Sequence, residues 1–433
     1  MPRPSLRQGS LLNFGEGAIS LAAALVVSVL LAHQLHPDGF GLYALVMSIV
    51  SFAYLFARAG IPGTVRRYAA EFDGRGERDL IGIVAGRGLR NSILTGVAAA
   101  LLLAALAGPL SSFFNHAALR SYLLIGSVLL IPMVPLSVLR ALLGGLQHYR
   151  YLMRVSLVTS PLWLAACAIA LYAKAGIAGV LVATLIVELV NLGALGVRAM
   201  RDVHITWSGA VPESIKIRLQ RYNLALAALI LLDVIVWQRS ELLFLGRLSN
   251  ATQVSFYAVP FALTERVVDL IPGAVLGVLL PGLAFAQASP DPSRVSAVFG
   301  EALRYLALLT LPITIVGIVL APFIIRVLYG PDFGGATIVL QILLVAVLFG
   351  VVGQASRSAL LGMESQGRLL KTGVAAAALS IALDLILIPR WGAIGAAIAN
   401  TAVQGTWALA IFIPLWRRLH HEPAPAIREV VAS

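Results

Sequence analysis

The chain has 433 residues, of which 59% are hydrophobic and only 12% are charged, and its mean hydropathy is +0.90. Soluble domains carry roughly 25% charged residues, so this composition excludes a water-soluble globular protein. The net charge of +12 comes from basic loops between apolar runs, a pattern that indicates membrane topology rather than a surface for nucleic acid.

Long, continuously apolar runs follow one another along almost the whole chain. A spanning helix needs about 20 mainly apolar residues, whereas the strands of a transmembrane barrel alternate over about ten. The runs therefore predict an all-α polytopic membrane protein with about twelve transmembrane helices. We place these spans at residues 11–34, 40–61, 86–108, 121–143, 152–173, 177–197, 222–246, 253–284, 303–328, 335–356, 369–389 and 392–416.

The basic residues fall mostly on one side of this predicted topology. Of the 32 Lys and Arg side chains, the large majority lie at the two termini and in every second loop. Cytoplasmic loops of membrane proteins carry such an excess. We therefore expect both termini in the cytoplasm of a bacterial or archaeal inner membrane, with the basic loops against anionic lipid.

The second half of the chain repeats short motifs of the first half in the same order. An even number of spans in each copy gives both copies the same orientation, as in transporters built from parallel repeats. The paired positions are Tyr43 with Tyr257, Pro62 with Pro272, Arg140 with Arg357, "AGPL" (107–110) with "LAPF" (320–323), and "AGIAG" (175–179) with "WGAIG" (391–395).

The repeat predicts two six-helix lobes that are related by a pseudo-two-fold axis along the membrane normal. The N-terminal lobe is placed at residues 1–200 and the C-terminal lobe at 222–418. A cytoplasmic linker, 201–221, joins them, and 419–433 form a cytoplasmic tail. We interpret the linker as a plain connector; because its pattern is partly amphipathic, a segment that lies on the membrane surface is the alternative.

The loops favour transport over catalysis. The single cysteine, Cys167, lies in an apolar run, so no disulfide or thiolate metal site forms within one chain. The predicted outer loops are short, and the inner loops contain no P-loop, dinucleotide-binding or H-E-x-x-H motif. We therefore expect no catalytic residue, no cofactor and no metal.

Ionisable residues within the membrane concentrate in predicted spans 7 and 8. Span 7 contains Asp233 and Arg239, and span 8 contains Glu265, Arg266 and Asp269. A charge at the bilayer centre costs about 2.5–3.5 kcal/mol, so such groups face a cavity or a partner. We predict ion pairs between Asp233 and Arg266 or between Arg239 and Glu265. These charges would then belong to a hydrated transport cavity. The alternative is that the pairs only fix the register of neighbouring helices.

Other charges lie near the ends of predicted spans. Glu16 is near the inner end of span 1, where a solvated helix end and a cation site are equal alternatives. Arg140 and Arg357 occupy the inner ends of spans 4 and 10, and we expect them to snorkel to lipid headgroups. Glu241 is near the outer end of span 7, where water solvates it.

Several of these segments resemble the polysaccharide flippases of the multidrug/oligosaccharidyl-lipid/polysaccharide exporter superfamily. The resemblance extends over essentially the whole chain and is strongest toward the O-antigen (Wzx-type) branch. It is carried by "HPDGFGLYALVMSIVSF" (36–52), "ELLFLGRLSNATQVSFYAV" (241–259), "VLYGPDFGGATIVLQIL" (327–343) and "LLGMESQGRLLKTGVAAAALSIALDLILIPRWGAIGAAIANTA" (360–402).

The resemblance implies two lobes that open alternately to either side of the membrane. The implied cargo is a polyprenyl-diphosphate-linked oligosaccharide, moved by a proton or sodium gradient through a cleft lined by spans 1, 2, 7 and 8. The implied partners are membrane lipid and the glycan polymerase and ligase machinery, and we expect a monomer.

A diphosphate site favours cations, and the candidate cleft residues are Arg58, Arg66, Arg67, Arg239 and Arg266. The candidates for the coupling ion are Asp233, Glu265, Asp269 and Glu16. Acids outnumber arginines in spans 7 and 8, which keeps open an alternative, a cation-coupled multidrug or small-molecule antiporter of the same superfamily.

Overall fold

The computed structural model describes residues 6–207, 213–237, 240–265, 293–362 and 366–421. Within these ranges every regular element is helical, and a single 3-10 turn at Pro331–Phe333 accompanies the α-helices. The predicted all-α class is therefore confirmed.

The chain divides into two compact units, Met1–Thr252 and Gln253–Ser433. The predicted lobe and linker boundaries stay a prediction. The helices of the first unit are α1 (Leu6–Arg58), α2 (Ile61–Arg75), α3 (Arg78–Phe113), α4 (Leu119–Gly145), α5 (Tyr149–Tyr172), α6 (Gly176–Asp202), α7 (Glu213–Trp237) and α8 (Ser240–Leu248). The remaining helices are α9 (251–265), α10 (Ser293–Tyr329), α11 (Ala336–Gly362) and α12 (Gln366–His421).

The two longest helices each contain a break at which two predicted spans meet. In α1 the break is at His36, with φ 54° and ψ 176°, directly before Pro37. A residue before proline is disfavoured in the helical region, and proline itself donates no backbone hydrogen bond. In α12 the break is at Gly392, with φ 54° and ψ −129°, a conformation open to glycine.

Eight helices in the described ranges are long and apolar enough to cross a membrane. They include ten of the predicted spans, because α1 and α12 each hold two. Span 7 corresponds to α7 and α8, and most of span 8 lies outside the described residues. Leu101 and Leu102 of α3, and Val319 and Phe323 of α10, expose more than half of their surface, as lipid-facing side chains do.

Two pairs of positions that the predicted repeat matches share one local feature each. Gly176 and Gly392, from "AGIAG" and "WGAIG", have φ values of +57° and +54°. Pro109 and Pro322, from "AGPL" and "LAPF", both lie inside helices. The repeat itself and the two six-helix lobes stay a prediction.

Helix α2 lies against α3 and α4 in the core of the first unit. A Cβ on Gly145 of α4 would stand 2.6 Å from the carbonyl oxygen of Arg66, and one on Gly88 of α3 would stand 2.5 Å from Val65. Glycine therefore permits the close approach of these helices. Tyr68 and Phe72 fill the space beneath α2, each 1% exposed. The predicted span 2 ends at residue 61, so this separate helix was not predicted.

Helix α2 also contacts α7 through polar and aromatic groups. Thr64 donates a hydrogen bond to the side-chain oxygen of Asn223 over 3.2 Å. The guanidinium of Arg67 lies 4.2 Å from the ring centre of Tyr222, and Arg218 pairs with Glu71 at 2.9 Å.

The residues that directly follow α6 are attached to α3. Thr206 donates its backbone N–H to the carbonyl of Gly82 at 3.2 Å. A Cβ on Gly86 would stand 2.2 Å from the carbonyl oxygen of Thr206. The backbone at Thr206 therefore lies directly on α3. Residues 213–221, interpreted from the sequence as plain connector, form the first turns of α7.

We expect Gly145→Ala to destabilise the first unit. The added methyl group meets a backbone carbonyl, which cannot rotate away as a side chain can, so α2 and α4 must separate. Overpacking of this kind costs about 1–3 kcal/mol. Denaturant unfolding of the purified protein in detergent would measure the loss.

Gly193→Ala is the matched control, because no atom lies within 4 Å of a Cβ at this position of α6. At this position alanine is expected to raise the free energy of unfolding by about 0.5–1 kcal/mol, because it loses less conformational freedom than glycine when the helix forms. Equal effects of the two substitutions would show that the α2–α4 approach is not constrained by Gly145.

Candidate functional site

A cavity of about 530 Å³ lies within the first unit, between α1, α2, α4 and α5. Its volume falls in the range of small-molecule sites. Three arginines and one glutamate line it, so the walls carry a formal charge of +2. The lining residues are Glu16, Gly17, Ser20, Tyr54, Arg58, Pro62, Gly63, Arg66, Ser137, Arg140, Ala141, Gly144, Tyr149 and Leu152.

The break in α1 brings two parts of one helix to this cavity. Glu16 precedes His36 and Arg58 follows it by similar distances along the chain, each about 30 Å of helix at 1.5 Å per residue. Both residues line the same cavity, so the two halves of α1 lie side by side. The reversal at His36 therefore positions a carboxylate and a guanidinium on one wall.

The carboxylate of Glu16 forms an ion pair with Arg140 of α4. Nη1 of Arg140 donates to Oε1 of Glu16 over 2.6 Å, and the hydroxyl of Ser156 donates to the same oxygen over 3.1 Å. The Glu16 side chain is 12% exposed and that of Arg140 is 37% exposed. The snorkelling prediction for Arg140 is therefore wrong, because its guanidinium contacts an acid on a neighbouring helix.

A second carboxylate lies near this pair. Glu188 of α6 interacts electrostatically with Arg140. Within the described part of the chain, its Oε2 is buried without a hydrogen-bond donor, as is Oδ1 of Asn191 one turn further along α6. Arg140 thus interacts with two acids, by direct contact with Glu16 and electrostatically with Glu188.

Arg58 and Arg66 occupy the wall of the cavity that α1 and α2 form. Arg58 lies 5.3 Å from the ring centre of Tyr54. Arg66 is 3.5 Å from the hydroxyl oxygen of Tyr149, to which its Nη2 donates. Guanidinium groups present several N–H donors in a planar fork that matches phosphate and carboxylate oxygens. With the tyrosine hydroxyls, they make this wall suited to an anion.

The structure brings together three of the predicted site residues, Glu16, Arg58 and Arg66. Arg67 lies on α2 next to Arg66 but stacks on Tyr222 of α7, and it does not line this cavity. Its role in binding stays a prediction.

The other predicted site residues lie elsewhere in the chain. Glu265 is half-buried at the end of α9. Glu241, expected to be solvated, is 5% exposed, so that expectation is wrong. Arg239, Arg266 and Asp269 and the side chain of Asp233 lie outside the described residues.

Metal-ligating side chains do not cluster in the described ranges: no group of three His, Cys, Asp or Glu residues is placed to hold an ion there. The three arginines that line the cavity offer ionic recognition of an anion.

A titratable cluster lies where α4, α5 and α6 end or begin. Nδ1 of His148 is 3.0 Å from Oδ2 of Asp202, which also accepts from Nε of Arg198 at 2.6 Å. Burial lowers the pKa of His148, and the nearby Asp202 opposes this change only in part. The neutral imidazole is therefore favoured in the folded protein.

Residues 30–338 match the model of the family described as "Polysaccharide biosynthesis protein". No curated protein sequence matches the chain significantly. The family match covers well over half of the chain and includes α2, α4 and α5 of the cavity.

Solved structures of transporters share the fold at low sequence identity. An inward-facing multidrug resistance MATE family transporter of the MOP superfamily is 16% identical, with a TM-score of 0.80 over 93% of this chain and 94% of that chain. The lipid II flippase MurJ, in an inward closed conformation, is 14% identical, with a TM-score of 0.76 over 94% and 87%.

A MOP superfamily transporter from Pyrococcus furiosus, described as having a binding pocket of reverse polarity, is 16% identical with a TM-score of 0.64 over 95% and 94%. These similarities show that the chain has a MATE-like fold.

We expect the Glu16–Arg140 pair to be coupled in stability. Arg140→Gln leaves a largely buried carboxylate without its partner, so it should destabilise the protein more than Glu16→Gln, which leaves the more exposed arginine. The double variant should lose less than the sum of the single changes, with a coupling energy of about 1 kcal/mol. Denaturant unfolding in detergent would measure all three variants.

The matched control is the exposed pair Lys216 and Glu213, whose nitrogen and oxygen are 3.1 Å apart. Such pairs contribute about 0.5 kcal/mol or less. Additive effects for Glu16→Gln and Arg140→Gln would contradict the coupling.

The His148 cluster predicts a loss of stability in mild acid. The unfolded chain has the ordinary histidine pKa of 6.5 and the folded chain a lower one, so the unfolded state binds a proton first as the pH falls. The contribution of neutral His148 to the stability of the fold is therefore complete above pH 6.5. This contribution is lost as the pH falls through the lower pKa that His148 has in the folded protein. The melting temperature of the wild type should therefore drop from pH 7 to pH 5 more than that of His148→Gln.

His33→Gln serves as a control for the loss of an imidazole, because His33 is exposed on α1. Parallel melting curves for wild type and His148→Gln would exclude His148 as the origin of the pH dependence.

Proposed function

Because the chain belongs to the polysaccharide biosynthesis protein family, we propose that it is a flippase for surface polysaccharide synthesis. Its cargo would be an oligosaccharide linked to a polyprenyl diphosphate, carried across the inner membrane by alternating access. It binds and moves this cargo without chemical change.

The observation that carries this proposal is the cavity with three arginines in the first unit. A lipid-linked glycan offers mainly hydroxyl groups along its sugars and fixed negative charge at its diphosphate. Charge-assisted hydrogen bonds from guanidinium to phosphate are among the strongest polar contacts available. Arg58 and Arg66 project into a space large enough for a diphosphate together with its first sugar.

The fold gives independent support. The MurJ structure has the same fold and is described as a lipid II flippase, so this architecture accommodates lipid-linked glycans in at least that protein. The predicted positive-inside topology places the end of α1 at Arg58, and hence this cavity, on the cytoplasmic side. That is the side on which a lipid-linked precursor is loaded.

In this mechanism the predicted lobes, 1–200 and 222–418, rock to expose the cargo to either side. Arg58, Arg66 and Arg67 receive the diphosphate, and Arg239 and Arg266 guide it through the cleft. Asp233, Glu265, Asp269 and Glu16 are the candidates for a coupling proton or cation. Membrane lipid surrounds a monomer, and the glycan polymerase and ligase machinery takes over the flipped product.

A cation-coupled multidrug antiporter is the second candidate. The MATE family transporter has the same fold and is described as a multidrug resistance protein, and acids outnumber arginines in the predicted spans 7 and 8. A drug exporter would prefer organic cations, which the positively charged walls of the described cavity repel. The charge of this cavity therefore favours the flippase.

We expect the chain to restore surface glycan in a strain that lacks its flippase, and the double variant Arg58→Gln/Arg66→Gln to reduce that glycan at least tenfold. The matched control is Arg75→Gln, which removes an exposed arginine of α2 that pairs with Glu71 and does not line the cavity. The measurement is surface glycan per unit of membrane-inserted protein.

The same assay tests the predicted cleft residues through Arg239→Ala and Arg266→Ala. Full complementation by all of these variants would exclude the arginine mechanism. Failure of the wild type to complement, together with drug resistance on expression, would favour the antiporter.

A further inference from the structure

Glu16 forms an ion pair with Arg140, an arginine that an anionic cargo in the cavity would also contact. Its Oε1 accepts from Nη1 of Arg140 at 2.6 Å, and both side chains line the cavity that contains Arg58 and Arg66. We propose that Glu16 is an internal counter-ion that competes with the cargo diphosphate for Arg140. As the cargo binds, Arg140 exchanges its contact with the Glu16 carboxylate for a contact with a phosphate of the cargo. This inference rests on the proposed flippase function.

The geometry makes Arg140 the mobile member of the pair. Glu16 is 12% exposed and its Oε1 is also held by Ser156 of α5, whereas Arg140 is 37% exposed. A guanidinium has five N–H donors, and the contact with Glu16 uses Nη1. The remaining donors can contact an anion in the cavity before the ion pair is broken, so the transfer needs no step in which Arg140 is unpaired.

The charge of the cavity explains why a competitor is useful. An unpaired arginine within a membrane protein is costly, and a pair that loses one member leaves a buried charge. Glu16 compensates Arg140 while the cavity contains no cargo. Arg58 and Arg66 then remain to attract the diphosphate, which carries a negative charge on each phosphate. Arg140 adds a third cation once the anion has arrived.

A purely structural ion pair predicts a different effect. If Glu16 and Arg140 only connect α1 to α4, loss of the carboxylate would leave the affinity for an anion unchanged or lower it by loosening the cavity. If Glu16 is a competitor, its loss must increase that affinity. The direction of the change therefore separates the two roles.

The test is binding of inorganic pyrophosphate to the purified full-length protein in phosphatidylcholine nanodiscs. Glu16→Gln keeps the shape of the side chain and removes its charge, and we expect about tenfold tighter binding, which corresponds to about 1.4 kcal/mol. Arg140→Gln should weaken binding only slightly in the wild type but remove the whole gain in the Glu16→Gln background. Glu71→Gln is the matched control, since this carboxylate of α2 pairs with Arg75 and Arg218 outside the cavity.

Glu16→Asp provides a second variant should Glu16→Gln fold poorly. Its shorter carboxylate holds Arg140 less closely, and an intermediate gain is expected. Unchanged or weaker binding by both Glu16 variants, with Arg58→Gln still reducing binding, would overturn the exchange and leave the flippase proposal intact. Absence of pyrophosphate binding in wild type and both variants would also overturn it.

A phospholipid headgroup has the same chemistry as the cargo phosphate, so a further arm includes phosphatidylglycerol in the nanodiscs. Pyrophosphate affinity that is retained supports the cargo diphosphate as the ligand. Affinity that disappears would reassign the site to membrane lipid. Complementation in cells, which does not depend on this measurement, reports separately on the flippase function.

Discussion

The close approach of α2 to α4 at Gly145 determines much of the first unit. A Cβ at this position would stand 2.6 Å from the carbonyl oxygen of Arg66, so the two backbones are nearly in contact. Consecutive residues of a helix point about 100° apart at 3.6 residues per turn. With α2 fixed here, Arg66 faces the cavity and Arg67 faces Tyr222 of α7. One packing constraint thus sets both a wall of the site and the contact with α7.

Electrostatics in a low-dielectric environment accounts for the rest of the site. Charges within a membrane protein need partners, and the first unit supplies them between helices that are distant in sequence: Glu16 on α1, Ser156 on α5 and Arg140 on α4. The reversal of α1 at His36 adds Arg58 to the same space. The result is a cavity that stays positive although one of its arginines is neutralised, and the proposed binding of a diphosphate rests on this property.

The sequence predicts the spans well because their signal is local: about 20 apolar residues in a row, with Pro37 and Gly392 between neighbouring spans. Arg58 and Arg66 are predicted as site residues because the resemblance to the flippases implies a diphosphate cargo, and these cations lie at the inner end of span 2. Helix α2 is missed because it is a short amphipathic helix whose apolar face is covered by other helices. The partner of Arg140 is missed because Glu16 is 124 positions away, and only the packing of α1 on α4 brings the two together. Arg239 and Arg266 remain sequence-based candidates.

The residues that follow α6 are attached to α3, and this attachment limits the position of α7. Thr206 is bound to Gly82, and α7 begins at Glu213. Whatever path the intervening residues take, a fully extended chain gains at most about 3.5 Å per residue, so roughly 20 Å separates Trp207 from Glu213 at full stretch. The start of α7 can therefore move away from α3 only within this radius while Thr206 keeps its hydrogen bond. An opening wider than that would have to detach the segment from the glycines of α3, so this attachment limits how far the start of α7 can lie from α3.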